Sequence, residues 1–221
     1  MEQDKDFHLY LLIGQSNMAG RGEIEPQDKE IHPRVFTLDR ENKWAPAVDP
    51  IHFDKPVAGV GPGLTFGKMM ADNDPAIRVG LIPCAAGGSP ISMWKKGAYW
   101  KQTKSHPYDD AIKRTRIAMQ DGVLKGILWH QGSSDSNENG AGLYEDRLAA
   151  LIGTLRTDLG VSEVPFIAAT LGDFLHPDAE KGKALYPSQI VNAAIRNMPQ
   201  RVKNAAYVES TGLKPKSDNL D

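Results

Sequence analysis

The feature that most constrains this chain is an alternation of short apolar runs with longer segments of helical period. Phe7–Ile13, Ile77–Ile82, Gly126–Trp129, Val164–Leu171 and Ala205–Val208 are runs of strand length, and most are apolar on both faces. Strands buried on both sides belong to parallel sheets covered by helices. Helical stripes lie between them. Tyr108, Ala111, Ile112, Thr115 and Met119 line one face of a helix that Pro107 can open. Tyr144, Leu148, Leu151 and Leu155 line a second helix that ends before Gly160, and Ile190, Ala194 and Met198 a third within 188–198. The alternation predicts an α/β fold, a three-layer α/β/α sandwich with a parallel sheet. With 221 residues and neither repeat nor linker, one domain is expected over 1–221.

Two stretches stand outside the alternation. Residues 23–63 are rich in proline and charge, and 87–106 place Met93, Trp94, Tyr99 and Trp100 among lysines. Both read as long excursions over the strand ends, where ligands of open parallel sheets bind. Trp94, Tyr99 and Trp100 have two open readings, a wall on which a sugar ring stacks or packing beneath a loop.

Composition narrows the function. The 26 basic and 28 acidic residues are interspersed, so no phosphate-neutralising patch marks a nucleic-acid partner. No apolar run reaches the ~18–20 residues of a membrane-spanning helix. One cysteine, Cys84, excludes an internal disulfide and a cysteine-rich metal site. The first residues, Met-Glu-Gln-Asp-Lys-Asp, lack a basic segment followed by an apolar one. An intracellular protein and an exported one whose signal peptide was removed both fit, with the exported (secreted or periplasmic) case slightly favoured.

The first apolar run leads directly into Gly14-Gln15-Ser16-Asn17-Met18-Ala19-Gly20. A serine on a tight, glycine-flanked turn at a strand's carboxyl end exposes its Oγ, and the amides that follow point toward a developing oxyanion. Taken alone, Ser16 has a second reading as the cap of the next helix.

Four ordered blocks weigh on that choice: residues 14–21 (GQSNMAGR), 83–89 (PCAAGGS), 129–135 (WHQGSSD) and 212–220 (GLKPKSDNL). In this order they resemble the SGNH (GDSL-like) hydrolases, specifically the sialate-O-acetylesterase-like and carbohydrate esterase family six acetylesterases. The resemblance runs from Phe7 to the last residue. It implies a flavodoxin-like sheet and hydrolysis of acetyl esters on a carbohydrate, of acetylxylan or sialic-acid type, with no cofactor and no metal. Position by position it makes Ser16 the nucleophile, Ser16 N–H, Gly88 N–H and the Gln131 side chain the oxyanion donors, and Asp218 the residue that orients the base. Asn17, His130 and Trp94 are the substrate-binding candidates. The physical reading agrees: a glycine admits close approach of backbone to ester, and an amide donates without adding charge.

Two positions depart from the family pattern. Ser133 stands where a glutamate is usual, leaving Asp218 to orient the base alone or with Asp135. Asp221 stands where the terminal block calls for histidine. An aspartate, with a solution pKa near ~4, is a poor proton acceptor for serine. The account favoured here is a histidine outside the 221 residues. The alternatives are a substitute among His8, His32, His52, His106, His130 and His176, or a carbohydrate-binding relative that has lost catalysis. A serine acyl hydrolase of short-chain esters without a sugar is the remaining reading.

Overall fold

The computed structural model describes residues 3–175 and 185–214. Seven strands form one sheet: β1 (Asp4–Gly14), β2 (Val35–Leu38), β3 (Trp44–Pro46), β4 (Arg78–Pro83), β5 (Gly122–His130), β6 (Phe166–Ala169) and β7 (Ala205–Val208). Their order is β3-β2-β4-β1-β5-β6-β7, and every pairing is parallel except that of β2 with β3. Without the β2–β3 hairpin, the order is that of flavodoxin-like sheets. The strand order reverses about β1, whose neighbours are β4 and β5.

Alternation along β1 shows how the sheet is covered. Phe7, Leu9, Leu11 and Ile13 point into one core, with Trp129, Tyr144, Leu148, Ile152, Phe166 and Ile195. Tyr10 and Leu12 point into the other, with Val35, Ile51, Leu64, Ala71, Val79 and Leu81. Helices α3 (Pro107–Ala118), α4 (Tyr144–Leu159) and α5 (Pro187–Arg201) contribute to the first core, and α2 (Pro62–Asn73) covers the second. Burying both faces explains why the strands are apolar throughout. Three helices follow the sequence expectation closely, with Pro107 and Pro187 opening α3 and α5 and Gly160, at φ +69°, ending α4.

The stretch 23–63 is less irregular than expected, since it contains the β2–β3 hairpin. Its turn is closed by Asp39 N–H on Lys43 O at 2.9 Å and Lys43 N–H on Asp39 Oδ1 at 2.8 Å. Helix α2 was not foreseen either. Its buried positions are Gly63, Leu64, Gly67 and Ala71, and the glycines blank out half of the apolar stripe. Gly67 lies so close to Val35 and Leu81 that a Cβ would sit 3.0 and 3.1 Å from their side chains.

Candidate active site

The carboxyl ends of β1 and β5 meet at the point where the sheet order reverses. Gly14 has φ +136°, and a Cβ there would lie 2.2 Å from His130 O, so only glycine lets the two strand ends approach. Gln15 N–H donates to His130 O at 3.0 Å, and Gln15 O accepts from Met18 and Ala19 at 3.1 and 3.0 Å. These bonds turn the chain into the short helix α1 (Ser16–Ala19). Gly20, at φ +84°, ends it against Val60, whose carbonyl would be 2.5 Å from a Cβ. Ser16 is half-buried at the first helical position. Its N–H, as in any first helical turn, has no partner within the helix. Its Oγ has one long contact, 3.4 Å to Asn17 Oδ1.

The segment after β4 runs beside this turn, with Cys84 N–H on Leu12 O and Ala86 N–H on Gly14 O, both at 2.9 Å. It leads to Gly88, half-buried at φ +77°. Gly88 O accepts from Ser134 Oγ at 3.0 Å, and Gly87 N–H is held by Asp54 Oδ2 at 2.9 Å. Asp54 is in turn paired with Arg21 at 2.8 Å, and both side chains are nearly or fully buried. Arg21 and Asp54 therefore brace the Ser16 turn against the Gly88 turn. Nothing in the sequence linked residues 33 positions apart.

Gln131 is where the structure departs most from expectation. It is fully buried. Its two amide hydrogens face three protein acceptors, Asp135 Oδ2 at 2.7 Å, Ser89 O at 3.0 Å and Gln15 Oε1 at 3.1 Å. In this ligand-free arrangement the amide hydrogens have protein acceptors, which tie the β5 end to the Gln15 and Ser89 turns. Gln15 is the partner that sequence reasoning missed. Its Oε1 also receives Gly132 N–H at 3.4 Å and Ser134 N–H at 3.3 Å.

Asp135 is engaged through one of its carboxylate oxygens. It is buried, its Oδ2 accepts from Ile91 N–H and Gln131, and burial raises its pKa against the lowering effect of those bonds. Ser133 Oγ is buried without a hydrogen-bond partner among the described residues. Trp94 is corrected as a substrate contact: it is 3% exposed, packs edge-on against Trp129 at 5.2 Å and donates to Ser89 Oγ at 3.0 Å. Trp100 donates to Gly87 O at 3.1 Å beneath the loop, whereas Tyr99 is exposed and tilted against His106.

Asn17 and His130 do come together, lining a cleft of about 400 Å3 with Arg21, Gly172, Phe174 and Ser210. The chain is fastened to this cleft by Ser210, whose Oγ donates to Thr170 O at 2.6 Å and whose N–H donates to Thr170 Oγ1 at 2.8 Å. Leu213 and Lys214, at the start of the terminal block, line it too. Asp218, Asp221 and His176 lie outside the described residues. Among the described residues, no group of three His, Cys, Asp or Glu side chains is arranged to hold a metal ion.

Comparison with known proteins gives the family. The profile of a family described as "Carbohydrate esterase, sialic acid-specific acetylesterase" matches residues 6–221. The chain belongs to that family. It is 31% identical over 237 residues to a probable carbohydrate esterase of Arabidopsis thaliana, covering 96% of this chain and 82% of the relative. A crystal structure of an Arabidopsis thaliana protein superimposes with a TM-score of 0.80 at 31% identity, covering 96% of this chain and 89% of the other. The fold is shared with NanS, at a TM-score of 0.76 and 18% identity over 100% of this chain and 84% of NanS. It is shared also with XAC1771, a carbohydrate acetylesterase of Xanthomonas citri, at 0.69 and 18% over 91% and 49% of the two chains. Family membership relates the chain to carbohydrate esterases.

Proposed function

We propose that this member of the family is a serine acetylesterase acting on an acetylated carbohydrate, with Ser16 as nucleophile. The observation that carries the reading is Ser16 at the first position of α1, on a turn that Gly14 and Gly20 make possible, beside the segment that leads to Gly88 through the Ala86 N–H bond to Gly14 O. Neither Ser16 N–H nor Gly88 N–H donates to another group among the described residues, so both are available to an oxyanion. Ser16 Oγ attacks the ester carbonyl while a base takes its proton. The tetrahedral oxyanion is held by the two amides, and collapse returns the proton to the departing sugar oxygen. Water then attacks the acetyl-serine by the same route and releases acetate. The base is assigned to an imidazole aligned by Asp218, as the family resemblance implies; the described chain reaches the cleft at Ser210, which is held to Thr170, and at Leu213 and Lys214. Gln131 and Gln15 support this machinery by holding its loops together.

The test is pre-steady-state hydrolysis of 4-nitrophenyl acetate by the gene product carried through the terminal block. Wild type should give a burst equal to the enzyme concentration, and Ser16→Ala none. Activity should rise with pH through ~6–7, the range of imidazole. A burst that survives in Ser16→Ala removes the nucleophile assignment. Saturable binding of acetylated sugar with no turnover makes the chain a binding protein instead.

A further inference from the structure

The Gly88 N–H, one of the two oxyanion donors, belongs to a peptide that can flip. Ser89 N–H donates to Ala86 O at 3.1 Å, which makes Gly87 and Gly88 the middle residues of a β-turn. Gly88 has φ +77° and Gly87 is not left-handed, the arrangement of a type II turn. The peptides on either side are tied down. Gly87 N–H donates to Asp54 Oδ2 at 2.9 Å, and Gly88 O accepts from Ser134 Oγ at 3.0 Å. The peptide between them carries Gly87 O at one end and Gly88 N–H at the other. Rotating it by half a turn converts type II into type I, and with glycine at both middle positions no Cβ opposes the change. In a trans peptide the carbonyl and the N–H point in opposite directions, so the flip reverses the aim of Gly88 N–H.

Trp100 holds the far end of that peptide. Its indole N–H donates to Gly87 O at 3.1 Å. The indole is itself well anchored. Trp100 N–H donates to Ser105 O at 2.8 Å and Ser105 N–H to Trp100 O at 3.3 Å, and the ring packs against the first core. Gln102, in the same loop, covers the turn directly, since a Cβ on Gly88 would lie 2.8 Å from its Oε1. Lys55 Nζ donates to that oxygen at 2.9 Å and keeps the loop in place. A hydrogen bond accepted by a peptide carbonyl also polarises the N–H of the same peptide, which makes Gly88 N–H a stronger donor.

We propose that Trp100 is a positioning residue of the esterase, which by holding Gly87 O keeps the Ala86–Ser89 turn in type II and aims Gly88 N–H at the oxyanion. Its catalytic consequence rests on the esterase reading, and its conformational consequence on the turn alone. Trp100 is then neither a wall for a sugar ring nor mere packing, and it acts through Gly87 without touching the substrate.

The experiment compares wild type with Trp100→Phe and with protein in which Trp100 alone is replaced by 3-benzothienylalanine, whose sulfur removes the ring N–H and keeps the shape. The gene product carried through the terminal block is used throughout. NMR on isotope-labelled protein reads the turn. Type II brings Gly87 Hα close to Gly88 N–H, whereas type I brings the two N–H groups together. Wild type should show the first contact as a strong NOE, and both variants should show the second. On 4-nitrophenyl acetate the variants should lose about tenfold in kcat, as when about one turn in ten still aims its donor, with KM changed by less than about threefold. Losing the donor outright sets the upper limit, ~10²–10³-fold. The 3-benzothienylalanine protein decides alone if Trp100→Phe does not fold. A wild-type NOE pattern in the variants, a flipped turn with wild-type kcat, or a loss confined to KM overturns the proposal. Wild-type protein without a burst refutes the esterase reading, and the catalytic consequence with it, whereas the NOE comparison still decides what holds the turn.

Discussion

Gln15 Oε1 accepts a hydrogen bond from Gln131 Nε2 at 3.1 Å, fastening the residue before Ser16 to the residue after β5. The same oxygen receives the N–H groups of Gly132 and Ser134. Ser16 follows Gln15 directly, so the register of this clamp sets where the Ser16 amide and hydroxyl stand. Misplacing a reacting group by about 1 Å can cost ~10²-fold in rate. Gln15→Met keeps the length and removes the acceptor. It should lower kcat on an acetyl ester by ~10²-fold with KM changed only a few-fold, while Gln15→Glu, which keeps an acceptor oxygen, recovers part of the loss. A folded Gln15→Met protein with wild-type kcat would show that the clamp has no bearing on catalysis.

Gln131 invites a test that separates bracing from direct donation. Its amide serves Asp135, Ser89 and Gln15 inside the protein, so Gln131→Met strips acceptors of their donor. The expected cost is ~1–3 kcal/mol of stability, read as a fall of several degrees in Tm. A side chain donating to the oxyanion would behave differently, losing ~10²–10³-fold in kcat with Tm unchanged. Unfolding curves and kinetics on the same sample decide between them.

Gly14 should be among the least replaceable residues. Alanine there meets His130 O at 2.2 Å and must hold φ near +136°. Gly14→Ala is expected to lose on the order of 3 kcal/mol or more, because backbone strain and clash act together. Gly142→Ala is the control, with open space around its Cβ and an expected change within ~0.5 kcal/mol. Equal Tm values for the two variants would refute the claim that the β1–β5 approach is glycine-dependent.

The parts of the fold readable in the sequence are those that write themselves as local patterns. Leu9, Leu11 and Ile13 interleave with Tyr10 and Leu12 because both faces of β1 are covered, and such a run can be recognised without its neighbours. Helix α2 escaped because Gly63 and Gly67 are selected for closeness, which leaves no apolar mark. The β2–β3 hairpin escaped because Val35–Leu38 is a four-residue run whose partner, Trp44–Pro46, is three residues long. At the candidate site, Ser16 stood out by its glycine-flanked turn and Gly88 by its place in a block that resembles the family. Gln15 did not, since a polar residue beside Ser16 looks the same in sequence whether it faces water or three N–H donors. Trp94 misled for the opposite reason. Its lysine neighbours suggest a solvated loop, but burial comes from Trp129, far away in the chain.

Two buried groups make opposing contributions in mild acid, and the balance can be measured. Burial lowers the His52 pKa from 6.5 to about 3. Below ~6.5 the unfolded chain takes up a proton that the folded one refuses, so this contribution to stability is full above that pH and is lost as pH falls toward 3. Burial raises the Asp49 pKa from 3.8 to about 6, against a smaller lowering by its bond from the Ile51 amide. Between pH 6 and 4 the folded state holds the extra proton, so this contribution is full below ~4 and is lost as pH rises through 6. The two contributions oppose each other between pH 6.5 and 4, and single variants separate them. Asp49→Asn should raise Tm by a few degrees at pH 7.5 and hardly at pH 4, because it removes a charge the folded state disfavours only when ionised. His52→Leu should remove the acid destabilisation that His52 contributes below pH 6.5. If Asp49→Asn gives the same increment at both pH values, its carboxyl is not titrating in this range. If His52→Leu leaves the acid slope intact, another group sets it.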